Sequence, residues 1–285
     1  MLDPIHLLRQ GKHQASRLIH KGSRSYRRWA LNRYSRTHLP NPSPSDHPHE
    51  FVNREPSGFD PEWDHKPVPR TVFTLWTGNN PLTPNRERSL ADLREGLGLE
   101  LTLVTPANLG EFLHPDWPLH PAYEHLSLVH RSDYLRCYLL HLHGGGYVDL
   151  KRPTQSWQPA WHSFSQDKTK MLMGYPEVDA LAVPELPGPL GKELRRHFTH
   201  LPGMTAFMAR PRTPLTALWF EELHRRLDYY LPDLIQHPGG IWGNQATYPI
   251  RWTGILGDIL HPLAYYFHEH VELREDLKPT LMDYR

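Results

Sequence analysis

Short β-branched and aromatic segments alternate with longer helical patterns from about residue 71 onward, and this alternation restricts the fold of the chain more than any other feature. Five segments have the composition of strands: residues 71–76, 99–105, 147–150, 171–174 and 204–208. Three segments have the apolar spacing of helices: residues 84–95, 121–143 and 214–230. Strands and helices that alternate with short turns predict an α/β fold in which helices flank a sheet.

The ends of two predicted strands carry polar and aromatic side chains. Trp76 and Thr77 follow the first strand, and Asp149 and Lys151 lie at the end of the third. In open α/β sheets, ligands bind beyond the carboxyl ends of the strands. The sequence therefore predicts one crevice that contains all four residues.

The most informative stretch consists of two neighbouring segments, HRSDYLR at residues 130–136 and HGGGYVDLK at residues 143–151. Asp133 and Arg136 are three positions apart on a predicted helix, so their side chains share one face. Glycines 144–146 permit a tight turn from helix to strand and the close approach of a ligand. An intrahelical ion pair and a glycine cap would explain these elements one by one. They would not explain why the elements cluster beside Asp149 and Lys151.

Several other site classes are excluded by the sequence. The HGGG segment also matches the oxyanion loop of α/β-hydrolases, but the chain has no G-x-S-x-G nucleophile motif. It has no G-x-x-x-x-G-K-[ST] phosphate loop either. A single cysteine, Cys137, excludes a disulfide framework and a cysteine-based zinc site, and it suits a reducing compartment.

The pattern SDxxR at residues 132–136, followed by GGxYxDxK at residues 145–151, resembles the donor site of GT-A type glycosyltransferases with a DXD sugar-binding motif. It is also similar to that of bacterial capsular polysaccharide synthesis proteins. The segment LWTG at residues 75–78 resembles the W-x-G of these proteins, and WTGILGDILHPLAYYF from Trp252 resembles their C-terminal part. The resemblance extends from about Val72 to the end of the chain.

The resemblance implies a GT-A-like (Rossmann-like) mixed sheet flanked by helices. It also implies an activity, the transfer of a sugar from a nucleotide-sugar donor to a glycan or lipid-linked acceptor in surface (capsular) polysaccharide synthesis. Retention of the anomeric configuration is a further implication of the resemblance. A non-catalytic nucleotide-sugar or glycan-binding protein is the alternative.

Roles for individual residues follow from the same resemblance. Trp76 would stack on the nucleotide base. Asp133 and Arg136 would hold hydroxyl groups of the donor sugar, and Asp149 would face the ribose, the diphosphate or a metal ion. The implied donor-binding set is Trp76, Thr77, Ser132, Asp133, Arg136, Gly145, Gly146, Tyr147 and Asp149. The implied catalytic set is Asp149, Lys151 and Arg136.

One position departs from the family pattern. Lys151 stands where the family has its second acidic residue. An ammonium group cannot ligate Mn²⁺ or Mg²⁺, which prefer oxygen ligands. It can instead neutralise the charge of a departing diphosphate. We therefore expect a reaction that needs no metal ion or that holds Mn²⁺ or Mg²⁺ weakly at Asp149. An ordinary surface lysine is the alternative for Lys151. The loss of the second acidic residue of the metal motif favours the binding-protein alternative for the chain.

Four further residues are candidates for binding the acceptor or the diphosphate. Asn244 and Gln245 lie in the glycine-rich segment GGIWGNQATYP, and Asp258 and His261 lie in the capsule-like C-terminal part. A surface turn is the structural alternative for the first pair. A helix cap and a core histidine are the alternatives for Asp258 and His261.

The first 40 residues differ from the rest in charge. They hold nine Lys and Arg residues and one Asp, with apolar residues at roughly helical spacing. This pattern predicts a basic amphipathic arm for residues 1–40, and an anionic membrane surface is one partner for it. Contact with nucleic acid and packing on the protein body are the alternatives. Residues 41–69 are proline-rich and predict a linker or a surface strap, and residues 70–285 form the GT-A-like domain.

The rest of the chain argues against a nucleic-acid partner, because it carries 23 basic and 30 acidic residues. The chain as a whole has no apolar run near the ~18 residues that span a bilayer. Residues 1–14 lack the apolar core of a secretory signal. We therefore expect a cytoplasmic enzyme that is peripheral at the inner face of the membrane.

Overall fold

A six-stranded mixed sheet lies at the centre of the computed structural model, which describes residues 26, 28–47 and 50–282. The strands are β1 (Thr71–Leu75), β2 (Glu100–Val104), β3 (Gly145–Val148), β4 (Leu172–Pro176), β5 (Pro202–Ala209) and β6 (Val271–Leu273). Their order across the sheet is β2-β1-β3-β5-β4-β6. The predicted α/β fold is confirmed, and the arrangement is consistent with a Rossmann-like fold.

The directions of the strands define one edge of the sheet. β1 is parallel to β2 and β3, and β4 is parallel to β6, whereas β5 is antiparallel to both of its neighbours, β3 and β4. The five other strands therefore all run the same way and end at one edge, which we call the carboxyl edge. The beginning of β5, at Pro202, lies at this edge too.

Helices cover both faces of this sheet. In the described part of the chain they are α1 (28–37), α2 (Pro84–Gly96), α3 (Leu128–Leu142), α4 (Gln158–Gln166), α5 (Gly188–Arg196), α6 (Pro214–Gln236) and α7 (Gly257–Tyr266). One apolar core lies between the sheet and α3, α5, α6 and α7, and a second lies beneath α2 and α4. None of these helices has the length and apolar character that a membrane crossing requires.

Alternation along the strands explains these two cores. Tyr147 of β3 points into the first core, whereas Val148 points into the second. Phe207 and Met208 of β5 divide in the same way. Successive side chains of a strand point to opposite faces, so apolar residues at consecutive positions supply both layers.

The helix expected over residues 121–143 is two separate elements, so that prediction is wrong in its boundaries. A 3-10 helix covers Pro121–His125, and α3 begins only after Ser127. The Ser127 hydroxyl accepts a hydrogen bond from the backbone N–H of His130 at 3.2 Å. A serine in extended conformation that caps the next helix interrupts the helical path.

The predicted linker at residues 41–69 contributes to the cores in the structure. Phe51 and Val52 are buried in the first core, and Val68 is buried in the second. The N–H of Asp60 donates to the carbonyl of Arg212 at 2.7 Å. This segment therefore lies across the body as a strap.

The N-terminal helix α1 packs on the body. Ser35 is fully buried, and its Oγ lies 2.6 Å from Oγ1 of Thr199. Nε2 of His200 donates to the Ser35 carbonyl at 2.8 Å, and Arg28 forms an ion pair with Asp179. The other part of the predicted arm, residues 1–25 and 27, lies outside the described residues.

A buried arginine after β5 joins the strap, α4 and the sheet. Arg210 is 1% exposed, and its guanidinium donates to five backbone carbonyls. Their oxygens lie 2.9 to 3.3 Å away and belong to Lys66, Phe164, Ser165, Asp167 and Lys170. Three of these carbonyls are at the C-terminal end of α4, where a positive charge also complements the helix dipole.

Candidate functional site

The carboxyl edge brings together the ends of neighbouring strands. Asp149 is the first residue after β3, and its N–H donates to the carbonyl of Thr205 in β5 at 2.9 Å. Trp76 is the first residue after β1, and its N–H donates to the carbonyl of Val104 at the end of β2 at 2.9 Å. Because β1 and β3 are adjacent, Trp76 and Asp149 follow neighbouring strands at one edge.

Asp149 accepts hydrogen bonds from two side chains of its own segment. Nζ of Lys151 lies 2.7 Å from Oδ2, and the hydroxyl of Tyr147 donates to Oδ1 at 2.7 Å. β3 ends at Val148, and the N–H of Lys151 donates to the carbonyl of Asp149 at 2.6 Å, so a turn after the strand brings the Lys151 ammonium back to the Asp149 carboxylate. Nη2 of Arg136 lies 3.7 Å from Oδ1 of Asp149. The carboxylate is thus held between two cations.

The Arg136 guanidinium joins α3 to the sheet. Its Nη2 lies 3.1 Å from Oδ1 of Asp133, and its Nη1 donates to the carbonyl of Met204 in β5 at 2.6 Å. The guanidinium carbon lies 4.4 Å from the centre of the Tyr147 ring, which is a cation–π distance. The predicted pairing of Asp133 and Arg136 on one helical face is present, and it continues across to Asp149.

Asp149 is the accessible member of this cluster. Its side chain is 24% exposed, whereas Asp133, Arg136, Tyr147 and Lys151 are buried. A ligand at the carboxyl edge therefore meets the Asp149 carboxylate first. The buried groups hold that carboxylate in place and set the local potential.

The charges of the cluster also set its protonation. Burial alone would raise the pKa of Asp149, but Lys151 and Arg136, with hydrogen bonds from Lys151 and Tyr147, lower it below its ordinary value. Burial raises the pKa of Asp133 more than Arg136 and His130 lower it. Asp149 is therefore ionised at neutral pH, and it can accept hydrogen bonds from hydroxyl groups.

A divalent metal ion fits this arrangement poorly. A site for Mn²⁺ or Mg²⁺ needs oxygen ligands, and the Lys151 ammonium occupies one oxygen of Asp149. Within residues 26, 28–47 and 50–282, no three His, Cys, Asp or Glu side chains form a group that could hold a metal. The side chains around Asp149 thus place two positive charges, those of Lys151 and Arg136, at this end of the sheet.

Three other predicted donor-binding residues lie near this cluster, and a side-chain polar atom of each forms a hydrogen bond. The hydroxyl of Thr77 donates to the carbonyl of Leu128 at the start of α3 at 2.7 Å. Nε1 of Trp76 donates to the carbonyl of Asn80 at 2.6 Å, which fixes the half-buried indole. Ser132 Oγ lies 3.3 Å from the Tyr147 hydroxyl.

Gly145 and Gly146 lie elsewhere, contrary to the donor-binding role expected of them. They open β3, so they lie at its start rather than at the carboxyl edge. Gly145 has φ of 88°, and a Cβ on it would overlap the carbonyl oxygen of Thr71. A Cβ on Gly146 would lie 2.9 Å from Val72. These glycines are needed for close packing of β3 on β1.

The loop that contains Asn244 and Gln245 contacts the beginning of α3. Both side chains are exposed, and nearby carbonyls of the loop, at Gly240 and Ile241, accept from the N–H groups of residues 128 and 129. Tyr248 in the same loop approaches the Nδ1 of His130 through its hydroxyl, at 2.8 Å. The loop therefore contacts the start of α3, where the Leu128 carbonyl also accepts from Thr77, and a role in acceptor binding stays a prediction.

Asp258 and His261 are buried in the first turns of α7. Asp258 Oδ2 accepts a hydrogen bond from Nε of Arg251 at 2.7 Å. Nε2 of His261 donates to the carbonyl of Pro202, at the start of β5, at 3.0 Å. His261 is therefore a core histidine, whereas Asp258 is an ion-paired carboxylate and not a helix cap, since no side chain caps the start of α7.

Glu177 was missed by the sequence analysis although it lies at the carboxyl edge, directly after β4. It is 7% exposed, and its N–H donates to the carbonyl of Leu201 at 2.8 Å. The signal available in the sequence was a carboxylate that follows a short strand, in the segment MGYPEVD. Its burial comes from β5 and α7, which follow later in the chain.

Comparison with known proteins adds no family to this geometry. No protein-family model matches the chain, and no curated protein is significantly similar to it. The resemblance to GT-A type glycosyltransferases therefore stays a prediction that rests on the motifs of residues 75–78 and 132–151.

Proposed function

We propose that this protein is a GT-A type glycosyltransferase, which moves a sugar from a nucleotide-sugar donor to a glycan or lipid-linked acceptor in surface polysaccharide synthesis. The observation that carries the proposal is the accessible Asp149 carboxylate, held between Lys151 and Arg136 at the carboxyl edge. A ligand in an α/β sheet binds at such an edge.

The charges at this edge suit both halves of a nucleotide sugar. The Asp149 carboxylate accepts hydrogen bonds from sugar hydroxyls. Lys151 and Arg136 supply positive potential that stabilises the negative charge on a departing nucleoside diphosphate. Trp76, half-buried on the adjacent strand end, offers an aromatic face for a base. Retention of configuration remains part of this proposal through the sequence resemblance alone.

A nucleotide-sugar panel tests the proposal. The purified protein is incubated with UDP-glucose, UDP-galactose, UDP-N-acetylglucosamine and GDP-mannose, and release of the nucleoside diphosphate is measured together with the melting temperature. We expect one donor class to raise the melting temperature and to be turned over. Thermal stabilisation without any turnover would favour the binding-protein alternative, and neither effect would overturn the proposal.

We expect turnover to depend only weakly on divalent metal ions. Lys151 holds a fixed positive charge where the family places its second acidic residue, and it contacts Asp149 directly. The measurement compares wild-type turnover in excess EDTA with turnover in Mn²⁺. Lys151→Gln removes the charge and is expected to lower turnover in EDTA about tenfold or more.

Arg152→Gln is the matched control for this measurement, because Arg152 is an adjacent cation whose partner is Asp92, outside the cluster. Its turnover should stay near that of the wild type. A wild-type protein that is inactive in EDTA and fully restored by Mn²⁺ would contradict the role given to Lys151.

We also propose that the N-terminal segment holds the enzyme at the inner face of a membrane. Trp29 and Tyr26 are exposed on or beside α1, and Arg33 lies over the Trp29 ring at 5.7 Å. Aromatic and basic side chains together favour an anionic bilayer surface, with roughly 1 kcal/mol for each basic residue near it. Deletion of residues 1–27 should therefore abolish sedimentation with phosphatidylglycerol vesicles, while α1 stays in place.

The control for this prediction is a second exposed aromatic residue. Trp29→Ala should weaken sedimentation, whereas Tyr229→Ala, on the surface of α6, should not. Binding should also fall as salt is added. Full sedimentation of the truncated protein would rule out the proposed membrane contact.

A further inference from the structure

Two tryptophans stay half exposed in the segment before α7, residues 240–256, which we call the tryptophan segment. Trp242 is 48% exposed and Trp252 is 56% exposed, and Ile241 beside Trp242 is exposed too. Four other apolar side chains of the segment are buried, those of Tyr248, Ile250, Ile255 and Leu256. The segment is therefore anchored on the core and presents both indoles to solvent.

Both tryptophans lie beside the first turn of α3. The carbonyl of Ile241 accepts a hydrogen bond from the N–H of Val129 at 3.3 Å, and Trp242 follows directly after this contact. Nε2 of His130 donates to the carbonyl of Trp252 itself at 3.3 Å. Two aromatic residues that are distant in the sequence of the segment thus meet at neighbouring residues of one helix.

The contacts of the tryptophan segment and of α7 span the part of the carboxyl edge that contains Asp149. At the start of α3, the carbonyl of Leu128 accepts from the hydroxyl of Thr77, which follows β1. Nε2 of His261 in α7 donates to the carbonyl of Pro202, which begins β5. β3 lies between β1 and β5 in the sheet, and Asp149 follows it. The segment that connects these two contacts therefore passes the candidate donor site.

The tryptophan segment and Trp76 belong to opposite faces of the sheet. Tyr248, Ile250 and Ile255 are part of the first core, on the face that α3 and α7 cover. Trp76, which the proposed function assigns to the nucleotide base, packs against the second core. A donor whose base stacks on Trp76 and whose sugar reaches Asp149 therefore leaves the face of the tryptophan segment to the other substrate.

The chemistry of the tryptophan segment suits a neutral sugar chain. Asn244 and Gln245 add two exposed amides shortly after Trp242. The single charged side chain of the segment, Arg251, donates to Oδ2 of Asp258 at 2.7 Å. The apolar C–H face of a pyranose packs on an indole ring, and its hydroxyls exchange hydrogen bonds with amides. An anionic bilayer instead attracts clusters of Lys and Arg, which this segment lacks.

We infer that Trp242 and Trp252 form the acceptor subsite, in which each indole stacks on a sugar unit of a glycan chain. This inference rests on the proposed glycosyltransferase function and gives its acceptor a chemical class. The acceptor is recognised through neutral sugar units, and the amides of Asn244 and Gln245 bind hydroxyls at the edges of those rings. A chain that reaches both indoles should bind more tightly than a monosaccharide, because it makes two stacking contacts instead of one.

Direct binding tests this inference in the absence of any donor. The full-length protein is titrated by calorimetry with four neutral hexasaccharides, maltohexaose, cellohexaose, chitohexaose and mannohexaose. We expect one of them to bind, and Trp242→Ala and Trp252→Ala each to weaken its affinity about tenfold or more. Trp252→Phe keeps an aromatic face and should recover a part of this loss. Tyr229→Ala removes an exposed aromatic ring on α6 and should bind the hexasaccharide as the wild type does.

Sugar transfer provides the second measurement. With the donor that is turned over in the nucleotide-sugar panel, the KM for the same hexasaccharide should rise about tenfold or more in Trp252→Ala. The rise in melting temperature that the donor produces should stay at its wild-type value, because the donor is held by residues on the other side of Asp149. A variant that has lost its native packing would lose this donor effect as well.

Three results would overturn the inference. The wild type binds none of the four hexasaccharides, or both alanine variants bind as the wild type does, or Trp252→Ala no longer sediments with phosphatidylglycerol vesicles, which would assign the surface to a bilayer. None of these results concerns donor turnover, so the proposed function would stand. Absence of turnover with every donor, together with hexasaccharide binding that depends on both tryptophans, would instead overturn the proposed function and place the same sugar subsite in a glycan-binding protein.

Discussion

Replacement of Asp149 by asparagine is expected to lower nucleotide-sugar turnover by about 100-fold or more. Asp149 is the accessible carboxylate of the cluster, and the amide of asparagine removes the charge that lies between Lys151 and Arg136. An amide oxygen can still accept the hydrogen bond of Tyr147, so the backbone after β3 should keep its course. The measurement is initial-rate turnover together with donor affinity, and both should fall.

The same substitution should also cost stability, because the buried Lys151 and Arg136 lose their charged partner. We expect the free energy of unfolding to fall by about 1 to 3 kcal/mol, measured by denaturant titration at neutral pH. The pKa of Asp149 is lowered from 3.8 in the folded state, so its contribution is present above that value and lost as the pH falls through the lowered pKa. The two proteins should therefore converge in stability in acid.

Asp116→Asn is the control for this experiment, since Asp116 is an exposed aspartate away from the cluster. It should match the wild type in turnover and in unfolding. An Asp149→Asn protein with wild-type turnover would remove Asp149 from the site and would leave the proposed function without its main support.

Replacement of Arg210 by methionine should be the most destabilising change considered for this protein. The substitution leaves five backbone carbonyls without their shared donor in a place that water reaches poorly. Methionine fills much of the volume but donates no hydrogen bond. We expect the free energy of unfolding to fall by about 3 to 5 kcal/mol, a cost typical of breaking a buried polar network.

Arg94→Met provides the comparison, because Arg94 is exposed on α2 and its loss should change stability by about 0.5 kcal/mol or less. Arg210→Lys keeps the charge but lacks the fork of donors, so it should recover only a part of the lost stability. An Arg210→Met protein that unfolds at the wild-type denaturant concentration would show that the five carbonyls find other donors.

The strands of this fold were predictable where local composition and turn residues agreed. Residues 71–75 and 100–104 are β-branched or leucine-rich and end at turn-forming positions, and both are strands in the structure. The break at Ser127 was not found, because leucines on both sides continue the helical spacing and hide the N-cap. The antiparallel direction of β5 depends on pairing with β3 and β4, which no local pattern of its sequence records.

Some residues of the candidate site could likewise be predicted from the local sequence, and others could not. Asp133, Arg136 and Asp149 were found because they lie within one short stretch, where helix and strand periodicity bring them together. Glu177 was not found, because its burial depends on residues of β5 and α7 that are distant in sequence. The sequence analysis expected Gly145 and Gly146 to lie close to a ligand, whereas their close neighbours belong to β1: the Thr71 carbonyl for Gly145 and the Val72 side chain for Gly146.

Selection for activity would remove substitutions at both ends of β3, but for unrelated physical reasons. Gly145 and Asp149 are four residues apart, and almost any exchange at either position should leave cells without the activity. At Gly145 a side chain overlaps the Thr71 carbonyl, so the loss would arise from a smaller amount of folded protein. At Asp149 no side chain meets such an overlap, so more of the protein would stay folded than at Gly145 and would lack function. A mutational survey scored by growth alone would therefore place the binding site at both ends of this strand, and protein abundance measured for each variant would separate them.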